Sequence, residues 1–222
     1  MKRKSKFKFI SDKRRKSYIN AVNARISRGK SVLVEGNYGS GKSSFLELIE
    51  PKNMRVITAE PLSNIHHILP QLLRQLDYDA NMDYRRTPQY LDMLCNSDKQ
   101  FTIMIDEVNE LDKRVWSYLK RITDSGVPMV LAGLPKVRTF LEREYPDILS
   151  RLKVLVLYPV EVDDFISDYK DRFEPEAVEQ IYAHTRGDMR KFQEITEDCL
   201  DKAAELKLVK VDVMLVLEFL TQ

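Results

Sequence analysis

Cysteine and histidine are scarce in this 222-residue chain, which has two of the first and three of the second. Cys95 and Cys199 stand apart, in no metal-ligand spacing, so structural zinc is not expected and a reduced, cytoplasmic compartment fits best. The same scarcity leaves no nuclease, protease or transferase constellation. No run of about 18 apolar residues occurs, which excludes a membrane-spanning helix. The amino-terminal stretch is basic and lacks an apolar centre, so it does not read as a secretory signal. Internal repeats are absent too, and no low-complexity tract appears beyond that basic start. What remains is an ordinary globular composition, 43% hydrophobic, enough for one large domain or a core domain with a small one.

Charge is unevenly placed. The formal net charge is only +2, yet twelve Lys or Arg lie at or before Lys30 against one acid, Asp12. The rest of the chain is therefore net acidic. Lys2, Arg3, Lys4, Lys6 and Lys8 open the basic block, with Phe7 and Phe9 between and after the last of them. Such a block attracts phosphate backbones by steering and counterion release. A solvated tail is the alternative, and the interleaved aromatics tilt the reading toward nucleic acid.

The most informative segment is Gly36-Asn37-Tyr38-Gly39-Ser40-Gly41-Lys42-Ser43, which fits the phosphate-loop pattern G-x-x-x-x-G-K-[ST]. Ser31–Glu35 before it reads as a buried strand, and Ser44–Glu50 after it as a helix stopped by Pro51. That strand–loop–helix context gives the pattern its physical meaning. Glycines let the backbone curl until successive N–H groups face a polyphosphate, and the helix start adds partial positive charge. Lys42 is expected to reach the β- and γ-phosphates, and the Ser43 hydroxyl to bind Mg²⁺. Residues 36–44, Ser44 included, are thus the expected ATP-binding set. A bare glycine-rich turn is the alternative.

Four more apolar runs alternate with helical patterns: Met54–Thr58, Phe101–Ile105, Val127–Ala132 (entered late because of Pro128) and Lys153–Leu157. The intervening helices are expected at Leu62–Leu76, Pro88–Cys95, Val115–Thr123 and Val137–Tyr145, with a first one at 12–24 capped by Ser11. Continuous apolar strands between helices argue for a parallel sheet covered on both faces. After Pro159 only helices are expected, at Val162–Arg172, Glu176–Thr185, Met189–Leu206 and Val211–Leu220. The expected division is a basic segment at 1–10, an α/β nucleotide-binding domain at 11–159 and a helical lid at 160–222.

The third strand runs into Asp106-Glu107, at the end of a parallel sheet where ligands gather. Asp106 is expected to hold Mg²⁺, mostly through water, and Glu107 to orient and deprotonate the attacking water. Arg151 precedes the fifth strand at the domain edge, placed to reach a neighbouring subunit's phosphate; a surface ion pair is the alternative. Arg190 opens a helix behind the N-cap candidate Asp188, where a cation is unfavourable to the macrodipole unless an anion joins it. Lys42, Glu107, Arg151 and Arg190 form the expected catalytic set.

These residues resemble the AAA+ ATPases over nearly the whole chain from Ser11. Gly36–Ser43 resembles Walker A, Ile103–Glu107 Walker B, Ser150-Arg151 the arginine-finger motif of clamp loaders, and Gly187–Arg190 sensor 2. The resemblance implies a five-stranded P-loop sheet of order 5-1-4-3-2, a helical lid, and ATP held between subunits of a ring or helical filament. It also implies DNA contacts in the connection carrying Arg85 and Arg86, for which a solvated loop is the alternative. One departure stands out: sensor 1, usually polar, reads Ala132-Gly133-Leu134-Pro135, so Asn109 is a substitute or hydrolysis is slow. Thr58 is a candidate for coupling partner binding to Glu107. Asp106–Asn109 and the fourth strand most resemble the phage Mu B, TniB and TnsC type of transposition regulator. That implies an ATPase assembling with Mg²⁺ and ATP on double-stranded DNA to serve a transposase. A replication initiator or helicase loader is the alternative, and a nucleotide-gated signalling or defence module without DNA a further one.

Overall fold

A computed structural model describes residues 13–60 and 64–221. Its elements run α1 (Lys13–Ile26), β1 (Ser31–Glu35), α2 (Lys42–Leu46), β2 (Arg55–Ala59), α3 (Ile65–Gln75), α4 (Thr87–Cys95), β3 (Phe101–Ile105), α5 (Lys113–Asp124), β4 (Met129–Gly133), α6 (Pro135–Glu144), α7 (Pro146–Arg151) and β5 (Leu152–Val156). Four helices follow, α8 (Val162–Tyr169), α9 (Pro175–Thr185), α10 (Met189–Glu205) and α11 (Val213–Leu220). The five strands form one parallel sheet in the order β2-β3-β4-β1-β5. Counted from the other edge this is 5-1-4-3-2, the order the resemblance implied.

The strand chemistry explains the order. Every residue of β1, β3 and β4 is buried, as continuous apolar runs require when helices cover both faces. The edge strands β2 and β5 are only partly buried. Side chains alternate across β1: Leu33 enters the cluster with Ile103, Trp116 and Leu141, while Val32 and Val34 enter the one with Val22, Phe45 and Val130. Pro128 has no N–H to give the sheet, so β4 begins one residue later. The Pro128 carbonyl still accepts from Ile103 N at 3.1 Å and Thr102 Oγ1 at 3.0 Å.

Helix bounds differ from expectation in instructive places. The helix after the phosphate loop is short; past Leu46 the chain tightens, with Leu48 N bonding Phe45 O and Ile49 N bonding Leu46 O. Pro51 biases the preceding residue away from α geometry. Pro135 and Pro146 start helices rather than stop them, each in the first turn, where the missing N–H is harmless; α7 was therefore not expected. Near the C-terminus, Val211 pairs with Phe173 in an isolated bridge, so α11 starts later, capped by the Asp212 side chain on Leu215 N at 2.9 Å.

From Val160 onward the helices share a third cluster, built on Phe165, Tyr169, Phe173 and Phe192. The Phe165 and Phe192 ring centroids lie 4.2 Å apart. No described helix is long and apolar enough to cross a membrane.

Candidate functional site

The carboxyl ends of β1 and β3 lie on one edge of the sheet with β4 between them, which brings two loops together. The first, residues 36–41, is compressed. A Cβ at Gly36 would lie 2.6 Å from Ser40 Oγ and 2.9 Å from the Leu157 carbonyl, and Gly39 and Gly41 hold φ of +72° and +80°. Only glycine takes such values at little cost. Gly41 caps α2 without any side-chain hydrogen bond, so the first N–H groups of that helix remain for an anion.

Lys42 is buried to 9% exposure beneath this loop. Its Nζ donates to the carbonyls of Gly36 and Asn37, each at 2.9 Å, which leaves one of three ammonium donors for an anion. Burial pushes the Lys42 ammonium below its ordinary pKa; Asp106 and Glu107 oppose that shift, and Arg190 adds to it. An anion here favours the charged form and opposes that shift.

From the second loop, Asp106 Oδ2 accepts from Ser43 Oγ at 2.5 Å, and Asp106 Oδ1 accepts from Glu107 N at 2.8 Å. One hydroxyl and one carboxylate facing each other are hard-oxygen donors of the kind Mg²⁺ takes, with its remaining ligands from phosphate and water. Glu107 is exposed, at φ +49° and ψ +42°, an unfavourable backbone for a residue with a Cβ. Backbone strain of this sort concentrates where function over-determines it.

The start of α10 closes the third side. Asp188 caps α10 by accepting from Arg190 N at 3.0 Å and Lys191 N at 3.3 Å. A Cβ at Gly39 would run into that carboxylate, and one at Gly41 would come within 3.0 Å of Met189 Sδ. Met189 N donates to the Gly39 carbonyl at 2.9 Å. Tyr38, Gly39, Gly41, Lys42, Ser43, Ser44, Asp106, Glu107 and Arg190 thereby line a single cleft, while Gly36, Asn37 and Ser40 belong to the loop without lining it. Glu47, Met189 and Gln193 also line it and were not singled out from sequence. Gln193 follows Met189 and Arg190 by about one helical turn, a spacing that marks it.

Other expected site residues stand elsewhere. Arg151, exposed at the end of α7, is held by Asp124 at 2.9 Å and by the Asp147 carbonyl at 2.6 Å, outside the cleft. Arg85 and Arg86 sit on an exposed 3-10 turn, Tyr84–Arg86. There Arg86 pairs with Asp83 at 3.8 Å and the Arg85 guanidinium lies 5.7 Å from the Tyr84 ring centroid. Asn109 spends its amide on neighbours, accepting from Leu134 N at 3.2 Å and donating to Glu110 at 2.8 Å. Thr58 has its backbone clamped on both sides by the Gln75 amide. Lys2, Arg3, Lys4, Lys6 and Lys8, and the cap at Ser11, lie outside the described residues. Arg15 departs from its expected place in the basic block. It is 1% exposed and donates from Nη2 to the carbonyls of Ser40, at 2.8 Å, and Tyr158, at 2.9 Å. A signal for its burial is its spacing, three and four residues before Tyr18 and Ile19 on the apolar stripe of α1, but its two acceptors lie in distant segments.

A parallel sheet with a glycine-compressed loop at the end of β1, a buried lysine, and an acid at the end of β3 with β4 between them defines a P-loop nucleotide-binding fold of the AAA+ kind. The chain belongs to the AAA domain family AAA_22, whose model matches residues 24–141. Among curated proteins none matches the sequence. Solved structures with a similar fold include Drosophila ORC bound to DNA, at 14% identity and a TM-score of 0.75 over 96% of this chain and 62% of that one. The Aeropyrum pernix ORC2 protein in its ADPNP-ADP complexes is similar at 13% identity and a TM-score of 0.76, covering 99% and 70%. Cdc6p from Pyrobaculum aerophilum is similar at 13% identity and a TM-score of 0.76, covering 94% and 66%. The chain thus spans 62–70% of the lengths of these three proteins, and at such identities the likeness is one of fold.

Proposed function

We propose that this chain is an ATP-driven switch that assembles on duplex DNA and presents it to a client protein. The observation that carries the reading is the convergence of Lys42, the Ser43–Asp106 pair, Glu107 and Arg190 on one cleft. In this reading residues 36–44, through those N–H groups not already given to protein carbonyls as Gly36 N and Ser40 N are, and the Lys42 ammonium hold the triphosphate. Ser43 and Asp106 hold Mg²⁺, which supplies charge neutralisation at the phosphates. Glu107 orients and deprotonates the attacking water, and Arg190 senses the γ-phosphate from the lid. Arg151, facing away from its own cleft, completes the site of an adjoining subunit in a ring or filament. With no polar side chain at Ala132–Leu134, and with Asn109 engaged by Leu134 and Glu110, intrinsic turnover is slow and awaits DNA or a partner.

DNA contact is assigned to Lys2, Arg3, Lys4, Lys6 and Lys8, with Arg85 and Arg86 in support. Transposase delivery is the client role that the layout around Asp106–Asn109 suggests. The fold likeness to ORC and Cdc6 proteins favours a second client role, in replication initiation or helicase loading. The test is retention of random duplex DNA by the purified chain, with and without a slowly hydrolysed ATP analogue, across a salt series. Analogue-dependent binding that weakens steeply with salt supports the switch. Analogue binding with no DNA retention at any salt would instead make the chain a nucleotide-gated module for protein partners. Electron microscopy of the DNA-bound form then separates ring from filament.

A further inference from the structure

Two consecutive carbonyls of the phosphate loop are gripped from outside it. The lid holds Gly39 O through Met189 N, and α1 holds Ser40 O through the buried Arg15 guanidinium. The same Arg15 nitrogen also holds the Tyr158 carbonyl, in the connection from β5 to the lid. Its neighbour Arg14 reinforces that grip, pairing with Glu161 at 3.2 Å and lying 6.0 Å from the Tyr158 ring centroid. The phosphate loop, the β5–α8 connection and α1 therefore meet at one side chain that lines no part of the cleft.

The consequence follows from peptide geometry. A trans peptide points its C=O and the next N–H in opposite directions. Pinning the Ser40 carbonyl toward α1 therefore aims the Gly41 N–H away from α1. Gly41 lines the cleft and sits at φ +80°. Glycine at this position makes the Ser40–Gly41 peptide easy to flip, and a flipped peptide would turn a carbonyl toward bound phosphate in place of a donor. Arginine suits the task because its guanidinium stays charged when buried and holds two acceptors in a fixed fork. Truncating it would also strand the buried Ser40 carbonyl.

We propose that Arg15 is a positioning residue. By pinning the Ser40–Gly41 peptide and the β5–α8 connection together, it couples the placement of α1 to the affinity for nucleoside polyphosphate. The proposal rests on reading the cleft as the nucleotide site. It makes the basic amino-terminal region, which continues into α1, a lever on nucleotide binding, and linkage requires the reverse effect with equal strength.

The test uses the full chain with Arg15→Gln, Arg15→Lys and, as a control removing the same charge one residue on, Lys16→Gln. Affinity is read with a fluorescent N-methylanthraniloyl derivative of ATP in the presence of Mg²⁺, and turnover by phosphate release. Losing one donor to a charged group lowers affinity by about 10- to 100-fold. Arg15→Gln is expected to show that loss, with KM raised and kcat little changed because Arg15 touches no reacting atom. Arg15→Lys recovers part of the loss, and Lys16→Gln binds as the parent does. A second measurement needs no variant: saturating Mg·ATP slows backbone hydrogen exchange across α1 in the parent chain. Parent-like affinity in folded Arg15→Gln, or α1 exchange unmoved by nucleotide, would overturn the coupling. A parent chain that binds no nucleotide would overturn the reading of the cleft itself, a distinct result.

Discussion

Ser43 Oγ donates to Asp106 Oδ2 across 2.5 Å, joining the start of α2 to the end of β3. Neither residue is informative alone; the contact makes them one site. Asp106→Asn keeps the shape and removes the charge that attracts a divalent cation. ATP affinity in the presence of Mg²⁺ is expected to fall by at least about tenfold, toward the affinity measured with EDTA, since a hydrogen bond to a charged group contributes about 1.5–3 kcal/mol. Calorimetric titrations with and without Mg²⁺ check this, and an unchanged Mg²⁺ dependence would remove Asp106 from the metal site.

Glu107 lies beside that pair in a left-handed backbone conformation. Glu107→Gln preserves the side chain's size but cannot take a proton. Turnover is expected to drop by about 10²–10⁴ while ATP affinity stays close to the parent value. Parallel measurement of phosphate release and nucleotide affinity separates the two effects. Equal losses in both would mean that the residue supports the loop rather than the chemistry.

Arg151 is held by Asp124 and the Asp147 carbonyl, away from its own cleft. If it serves an adjoining subunit, Arg151→Ala and Lys42→Ala chains are each inactive and regain turnover when mixed. A finger of this kind contributes about 10³–10⁵ in rate. Failure of the mixture at concentrations where sedimentation shows mixed assemblies would assign Arg151 to the surface ion pair alone.

The two cysteines differ in environment. Cys199 is fully buried in the lid core, and burial pushes its thiol from an ordinary value of 9.0 up to about 11. A raised thiol pKa favours the protonated form, so the thiolate fraction near pH 8 falls by roughly 100-fold. Cys95, partly exposed on α4, is expected to react alone with a disulfide reagent in the native protein, with Cys199 joining only on denaturation. Two fast thiols in the native state would show that the lid core opens readily.

Gly39 holds φ +72° with the Asp188 carboxylate against it. Gly39→Ala therefore strains the loop and displaces the lid together, an effect of about 1–3 kcal/mol from the backbone alone. A thermal melt and an ATP titration of the same variant are expected to fall together. A variant as stable and as avid as the parent would show that the lid contact is not part of the loop's geometry.

The sheet and the cleft were legible because their signals are local. Buried parallel strands read as unbroken apolar runs, and the loop's glycines occupy a fixed spacing around Lys42. The rest depends on contacts between distant segments. The sequence pattern carries no expectation of a helix at α7, which Pro146 starts because its missing N–H falls in a helix's first turn. Arg15 counts as one more cation in a basic block until the fold buries it against Ser40 and Tyr158. The β4 end lacks the usual polar sensor in sequence, and only the structure reveals that the Asn109 amide is already engaged by Leu134.

Calorimetric titration of Mg·ATP into the parent chain and into Lys42→Ala tests the central claim most directly. Saturable one-site binding by the parent, abolished in a Lys42→Ala chain that melts like the parent, is the predicted result. No heat from the parent, or equal binding by both chains, would contradict it.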